Sequence, residues 1–171
     1  MNVIDLTAAI YDGMPVYPGD PKVSVEQIQS ISENGWELRQ LSMGSHTGTH
    51  VDAFSHMHQG GANLDEMPLT RFFGPATLVE LSGVWPSDVG LLFNQAINES
   101  YLDRLLLARP PFVGGDLSEN LEKALLAHGI VTYTGLVNLD QLPVGVPFTF
   151  YGLPLKISNG DGSPVRAIAL L

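Results

Sequence analysis

Residues 45–58 read SHTGTHVDAFSHMH and hold His46, His50, His56 and His58, four of the five histidines in the chain, with Asp52 among them. Imidazole and carboxylate groups crowded this closely suit a divalent metal. Two neutral imidazoles and one carboxylate fill three positions around Zn²⁺, or a facial set around Mn²⁺ or Fe²⁺, and leave room for water. An ion held in this way lowers the pKa of water from about 15.7 to about 7. A further histidine nearby can then move protons, because its ordinary pKa of about 6.5 lies in the useful range.

The spacing limits how the segment can fold. His46, His50, Asp52 and His56 stand at offsets of 0, 4, 6 and 10. At about 100° per residue a helix would place His46 and His50 some 40° apart but swing Asp52 to roughly 240°, so one helical face cannot hold the set. A straight strand at about 3.3 Å per residue would leave His46 and His50 roughly 13 Å apart, too far for metal bonds of about 2.0–2.2 Å. The segment must therefore bend, and Thr47-Gly48-Thr49 supplies the bend because Gly48 tolerates conformations closed to other residues.

The elements around this bend read as mostly strands. Residues 3–6 form a short strand, and YDGMPVYPGDP is irregular. Residues 22–31 and 36–43 alternate around Glu33-Asn34-Gly35 as a hairpin that leads into the histidines. Strands follow at 75–82, 110–116, 130–136, 147–157 and 164–171, whereas 98–109 fits either a short helix or a buried strand. The clearest helix is LSENLEKALLAHG, with Ser118 as its cap and Gly129 at its end. Strands outnumber helices, so the fold class is α/β or α+β with a mixed, β-rich core in one domain spanning 1–171.

Composition excludes several classes of function. Hydrophobic residues make up 44% of the chain and charged residues only 15%, which marks a globular protein. The balance of 8 basic against 18 acidic residues, without a basic cluster, argues against nucleic acid as a partner. No apolar run is long enough for a membrane span, and MNVIDLTAAIYDG lacks the basic region of a signal peptide. With no cysteine, thiolate catalysis is excluded, and a cytoplasmic location is expected.

HTGTHVDAFSH resembles the HxGTHxDxPxH signature of the cyclase family of metal-dependent hydrolases, which includes kynurenine formamidases and isatin hydrolases. VIDLT, MPVYPGDP, FVGGD, GLVNLDQLP and the closing FTFYGLPLKISNGDGSPVRAIAL also look like family segments in family order. The resemblance implies a β-rich swivelling β/β/α domain, found as a homodimer or homotetramer. It implies that His46, His50 and Asp52 bind one divalent metal ion, zinc or manganese, that His56 is the proton shuttle, and that Tyr17 contacts a small-molecule substrate. The activity implied is hydrolysis of a small amide, formamide or lactam.

Some positions depart from the pattern. Phe54 replaces the signature proline and Tyr17 a tryptophan, which points to a changed substrate pocket. Where dinuclear relatives take a second metal with a later histidine and glutamate, this chain has Glu122 and Thr134. Thr134 is a poor ligand, and Glu122 is expected to face solvent from its helix. His58 could substitute as a ligand but is expected to be solvent-facing or structural, His128 to end the helix, and Asp116 to be a pocket residue or, the favoured reading, the start of the helix cap. The competing class is a metal- or small-molecule-binding protein without turnover, against which the retained His56 argues.

Overall fold

A computed structural model describes residues 2–171. Its strands are β1 (Val3–Asp5), β2 (Ser24–Gln29), β3 (Leu38–Ser42), β4 (His50–Asp52), β5 (Phe73–Leu78), β6 (Gly90–Leu92), β7 (Phe112–Gly114), β8 (Val131–Thr134), β9 (Pro147–Tyr151), β10 (Gly162–Pro164) and β11 (Ile168–Leu170). The helices are α1 (Ile31–Asn34), α2 (Leu102–Ala108) and α3 (Glu119–Ala127). Nine strands form one sheet in the order β1-β11-β9-β5-β6-β7-β8-β4-β10, and β2 and β3 pair separately. The run β5-β6-β7-β8 is parallel and the flanking pairs are antiparallel, so the fold is mixed α/β around a large mixed sheet.

Side-chain alternation divides two cores across this sheet. In β6, Leu91 packs with Leu105, Leu121 and Leu125 on the helical side, while Leu92 joins Tyr133, Phe148 and Phe150 on the other. Phe112 and Val113 of β7 divide in the same way. Tyr133 is fully buried, and its hydroxyl donates to the Gly152 carbonyl at 2.9 Å, so its polar end is satisfied.

Helix α3 forms where its signals stand. The Ser118 hydroxyl accepts the Leu121 N–H at 3.3 Å, and Leu121, Leu125 and Leu126 form the buried stripe. At the other end Gly129 N–H donates to Leu126 O and Ile130 N–H to Leu125 O, the paired bonds of a Schellman closure. The ambiguous stretch 98–109 is helical: a 3₁₀ turn at Glu99–Tyr101 continues into α2. The hairpin turn is longer than expected, because the helical turn α1 stands between β2 and β3. The three-residue strand β6 had no sequence signal, being an unbroken apolar run of buried residues without alternating polarity. The closing segment is two strands, β10 and β11, rather than one. Strand β11 lies between β1 and β9, so its apolar residues are internal to the sheet. Among the described residues no helix is long and apolar enough to cross a membrane.

Candidate functional site

The histidine segment is divided among a turn, a strand and a 3₁₀ turn. His46 lies in the turn before β4, His50 and Asp52 on one face of β4, and His56 at the end of the 3₁₀ turn Phe54–His56. The bend between His46 and His50 has Gly48 at φ 66°, the left-handed region that glycine enters most easily. Buried Thr49 locks it: its hydroxyl donates to Gly135 O and accepts the Ala8 N–H at 2.9 Å.

Strand pairing supplies the next layer. β4 runs antiparallel to β8, with His50 opposite Thr134 and Asp52 opposite Thr132. Directly opposed residues share a face. Accordingly Thr132 donates to Asp52 Oδ2 at 2.8 Å, and the Thr134 hydroxyl lies 2.9 Å from His50 Nε2. Asp52 is only 2% exposed, and its Oδ1 lies 2.8 Å from His46 Nδ1 and 3.5 Å from His50 Nε2. The rings of His46 and His56 stack with centroids 3.8 Å apart, and those of His46 and His50 meet edge to face at 5.2 Å.

A buried carboxylate facing two imidazoles is what a divalent ion requires, and each group can present the correct form. His50 Nδ1 donates to the Gly48 carbonyl at 2.8 Å, so Nε2, 3.5 Å from Asp52 Oδ1, carries the lone pair and accepts the Thr134 hydroxyl in the metal-free protein. Burial pushes the His50 pKa below its ordinary value despite the nearby Asp52, favouring the neutral ring a ligand must be. Burial opposes the charge of Asp52, but bonds from His46 and Thr132 and the field of His50 outweigh it and hold its pKa down. His46 is the exception: burial disfavours its charge, yet Asp52 and Asp161 raise its pKa to about 9. An imidazolium thus holds the place of positive charge between two carboxylates in the metal-free protein. Ligand atoms of His46, Asp52 and His56 all lie within 4.8 Å of one another, whereas His50, expected as the second histidine ligand, stands outside that group with Nε2 3.5 Å from the same Asp52 oxygen. The residues present fit a metal.

These groups lie in a cavity of about 780 Å³, within the range of small-molecule pockets. Tyr17 lines it, and its hydroxyl donates to Glu119. Phe54 does not line the cavity; it packs against the main core. A 3₁₀ turn advances about 120° per residue, so aiming His56 inward at the end of the turn carries Phe54 at its start toward the core.

Glu122 and Asp116 also depart from expectation, because both line the cavity. Glu122 follows the buried Leu121 and flanks the apolar stripe of α3, where the helix overhangs the β4 face. Burial, then Asp52 and Glu119, raise its carboxyl pKa to about 8. The cap of α3 is Ser118, which leaves the Asp116 side chain on the cavity wall. His58 is structural, with Nε2 donating to Lys123 O at 2.7 Å, and His128 caps the C-terminal end of α3.

Two residues at the site carried no sequence signal. Asp161 precedes β10, the edge strand paired with β4, and its Oδ2 lies 2.9 Å from His46 Nε2 and 3.5 Å from His56 Nδ1. Thr132 was likewise unmarked, since only the β4–β8 register brings it to Asp52.

The chain resembles known proteins along nearly its whole length. The chain is 30% identical to the kynurenine formamidase of Salinibacter ruber over 98% of its own length and 97% of that protein's. Isatin hydrolase A from Labrenzia aggregata superposes with a TM-score of 0.84 at 23% identity, over 99% of this chain and 93% of that one. A potential metal-dependent hydrolase with cyclase activity superposes with a TM-score of 0.76 at 26% identity, covering 98% and 96%. The family model described as "Putative cyclase" matches residues 4–102, the part of the chain that contains the whole histidine segment, and the chain belongs to the Cyclase family.

Proposed function

We propose that this chain is a metal-dependent hydrolase that cleaves the C–N bond of a small amide, formamide or lactam in the cavity above β4. The observation that carries this is buried Asp52 between His46 and His50, with His56 stacked beside them at the cavity floor. His46, His50 and Asp52 would hold one divalent ion, zinc or manganese. Such an ion supplies Lewis acidity, polarising a carbonyl and activating water at neutral pH. The chain's own residues do the rest. His56 takes a proton from the attacking water at its ring nitrogen and returns it to the leaving nitrogen, so that the C–N bond breaks without releasing an amide anion. Thr132 and the Gly48 carbonyl fix Asp52 and His50. Tyr17 and the carboxyl-bearing wall of Asp20, Asp116, Glu119 and Glu122 meet the rest of the substrate. Among the described residues lining the cavity there is no lysine or arginine, which favours neutral or cationic amides over anionic ones. Thr134 stands where dinuclear relatives have a glutamate ligand, which supports a single ion, and Tyr17 on the cavity wall in place of a tryptophan supports weak activity on N-formylkynurenine.

We place the enzyme in the cytoplasm as a homodimer or homotetramer. The C-terminal strand does not supply the interface, being interior. The β2–β3 hairpin stands outside the large sheet and exposes Ile28, Trp36, Leu38 and Leu41. An isolated two-stranded hairpin is marginal in water, so we assign the contact between copies to this hairpin.

Paired variants test the assignment of roles. His50→Ala is expected to lower metal content and turnover together, whereas His56→Ala keeps the metal and loses about 10²–10⁴-fold in kcat. A His56→Ala protein as empty of metal as His50→Ala would make His56 a ligand. Metal binding without turnover of any small amide, ester or lactam would favour a binding protein, the reading that the threonine at position 134 supports.

A further inference from the structure

The segment SNGDGSP, residues 158–164, closes over the site from the far end of the chain. Its backbone is tied to the histidine segment on both sides: Ala53 N–H donates to Asp161 O at 2.8 Å and Leu64 N–H to Gly160 O at 2.9 Å. Beyond it β10 pairs residue for residue with β4, with Gly162 opposite Asp52. Asp161 is therefore placed by the same strand pair that places the candidate ligands.

Both oxygens of its carboxylate are engaged. Oδ1 accepts the Ser45 hydroxyl at 2.9 Å. Oδ2 lies 2.9 Å from His46 Nε2 and 3.5 Å from His56 Nδ1. One oxygen thus meets the edges of two rings stacked 3.8 Å apart and tilted by 32°. The next residue completes the arrangement. A Cβ on Gly162 would sit 2.3 Å from His46 Cε1 and 2.8 Å from Nε2, closer than any side chain can approach. The His46 ring lies flush on that backbone only because position 162 is glycine.

We propose that the Asp161–Gly162 pair positions both His46 and His56. Asp161 hydrogen-bonds His46 and sets a negative charge 3.5 Å from His56 Nδ1, and Gly162 leaves the room His46 needs. Holding His46 at Nε2 keeps Nδ1 turned toward Asp52, the carboxylate–histidine arrangement that orients metal ligands. Holding His56 at Nδ1 keeps its other nitrogen free for the proton transfer. The inference rests on His46 being a ligand and His56 the shuttle. Asp161 is a positioning residue and does not touch substrate.

The test uses the full chain with three variants: Asp161→Ala, Asp161→Asn and Gly162→Ala. Histidine ring NMR signals are recorded on metal-free protein, zinc and manganese affinities are measured by competition with a chelating dye, and kcat and KM are measured at saturating metal. Asp161→Ala is expected to shift the ring signals of both His46 and His56, weaken metal binding about 10–100-fold, and lower kcat with little change in KM. Asp161→Asn keeps an acceptor oxygen and is expected to recover part of the affinity. Gly162→Ala is expected to displace the His46 signals while sparing those of His56. Unchanged ring signals and affinity in Asp161→Ala would overturn the proposal, even if the wild-type enzyme behaves as described. Loss of metal as complete as in His50→Ala would overturn it too, by making Asp161 a ligand. If the wild type neither holds metal nor turns over amides, the functional assignment fails, and the ring signals still decide whether Asp161 positions the two histidines.

Discussion

Thr132→Val isolates the support beneath the site without touching any candidate ligand. The substitution keeps the volume and removes a hydroxyl that donates to Asp52 Oδ2 at 2.8 Å. Thr132 is fully buried and Asp52 is 2% exposed, so water cannot replace the lost donor. A hydrogen bond to a charged group is worth about 1.5–3 kcal/mol, and leaving a buried charged acceptor unpaired exacts at least that. For a chain of this length each kcal/mol moves Tm by about 2–4 °C, which gives a drop of roughly 3–12 °C. Metal affinity should fall about 10–100-fold, the usual effect of removing a partner that orients a ligand. Denaturant titration and calorimetry of the metal-free protein near neutral pH measure the first effect, and dye competition the second. Thr132→Ser, which keeps the hydroxyl, should recover most of the affinity. A valine variant within about 0.5 kcal/mol of wild type, with unchanged affinity, would refute the view that Asp52 depends on this donor.

Other expectations follow from the charges, the cavity and the exposed hairpin. Glu122 is raised to about 8 and His46 to about 9, so both hold protons in the folded metal-free protein that the unfolded chain has released. Stability without metal should therefore fall as pH rises from about 5 to about 9, while metal binding, which needs His46 deprotonated, strengthens over its upper part; chemical unfolding with and without chelator measures this, and metal-free stability that climbs with pH contradicts it. At pH 9, above the Glu122 pKa of about 8, Glu122→Gln should reduce kcat/KM for amides bearing a permanent positive charge more than for neutral ones of the same size, and equal losses would remove Glu122 from substrate selection. Replacing Trp36, Leu38 and Leu41 with serine should convert the oligomer to monomer in light scattering, and an unchanged mass would place the interface elsewhere.

What could be read from the sequence depended on how far apart the cooperating residues lie. The histidine segment was legible because its members fall within a few residues of one another, and its offsets already required a bend at Gly48. Helix α3 was legible from Ser118, its leucine stripe and Gly129. Asp161 was not, since it lies 115 residues from His46 and reaches it only because β10 pairs with β4. Thr132 depends in the same way on the β4–β8 register. Glu122 was misplaced because a charge beside an apolar stripe reads as solvent-facing unless the neighbouring strand is known. Phe54 was assigned to the pocket from its place in the motif, but the 3₁₀ turn sends it to the core.

The central claim is that one ion at His46, His50 and Asp52 supports hydrolysis of a small amide. Stepwise loading of chelator-stripped protein with zinc or manganese, with hydrolysis of a panel of small formamides, amides and lactams followed at each addition, tests it most directly. Activity should be absent at the start, rise in proportion to added metal, level off at one ion per chain, and stay absent in His50→Ala at every addition. Full turnover in the stripped protein, or a rise that levels off only at two ions per chain, would contradict it.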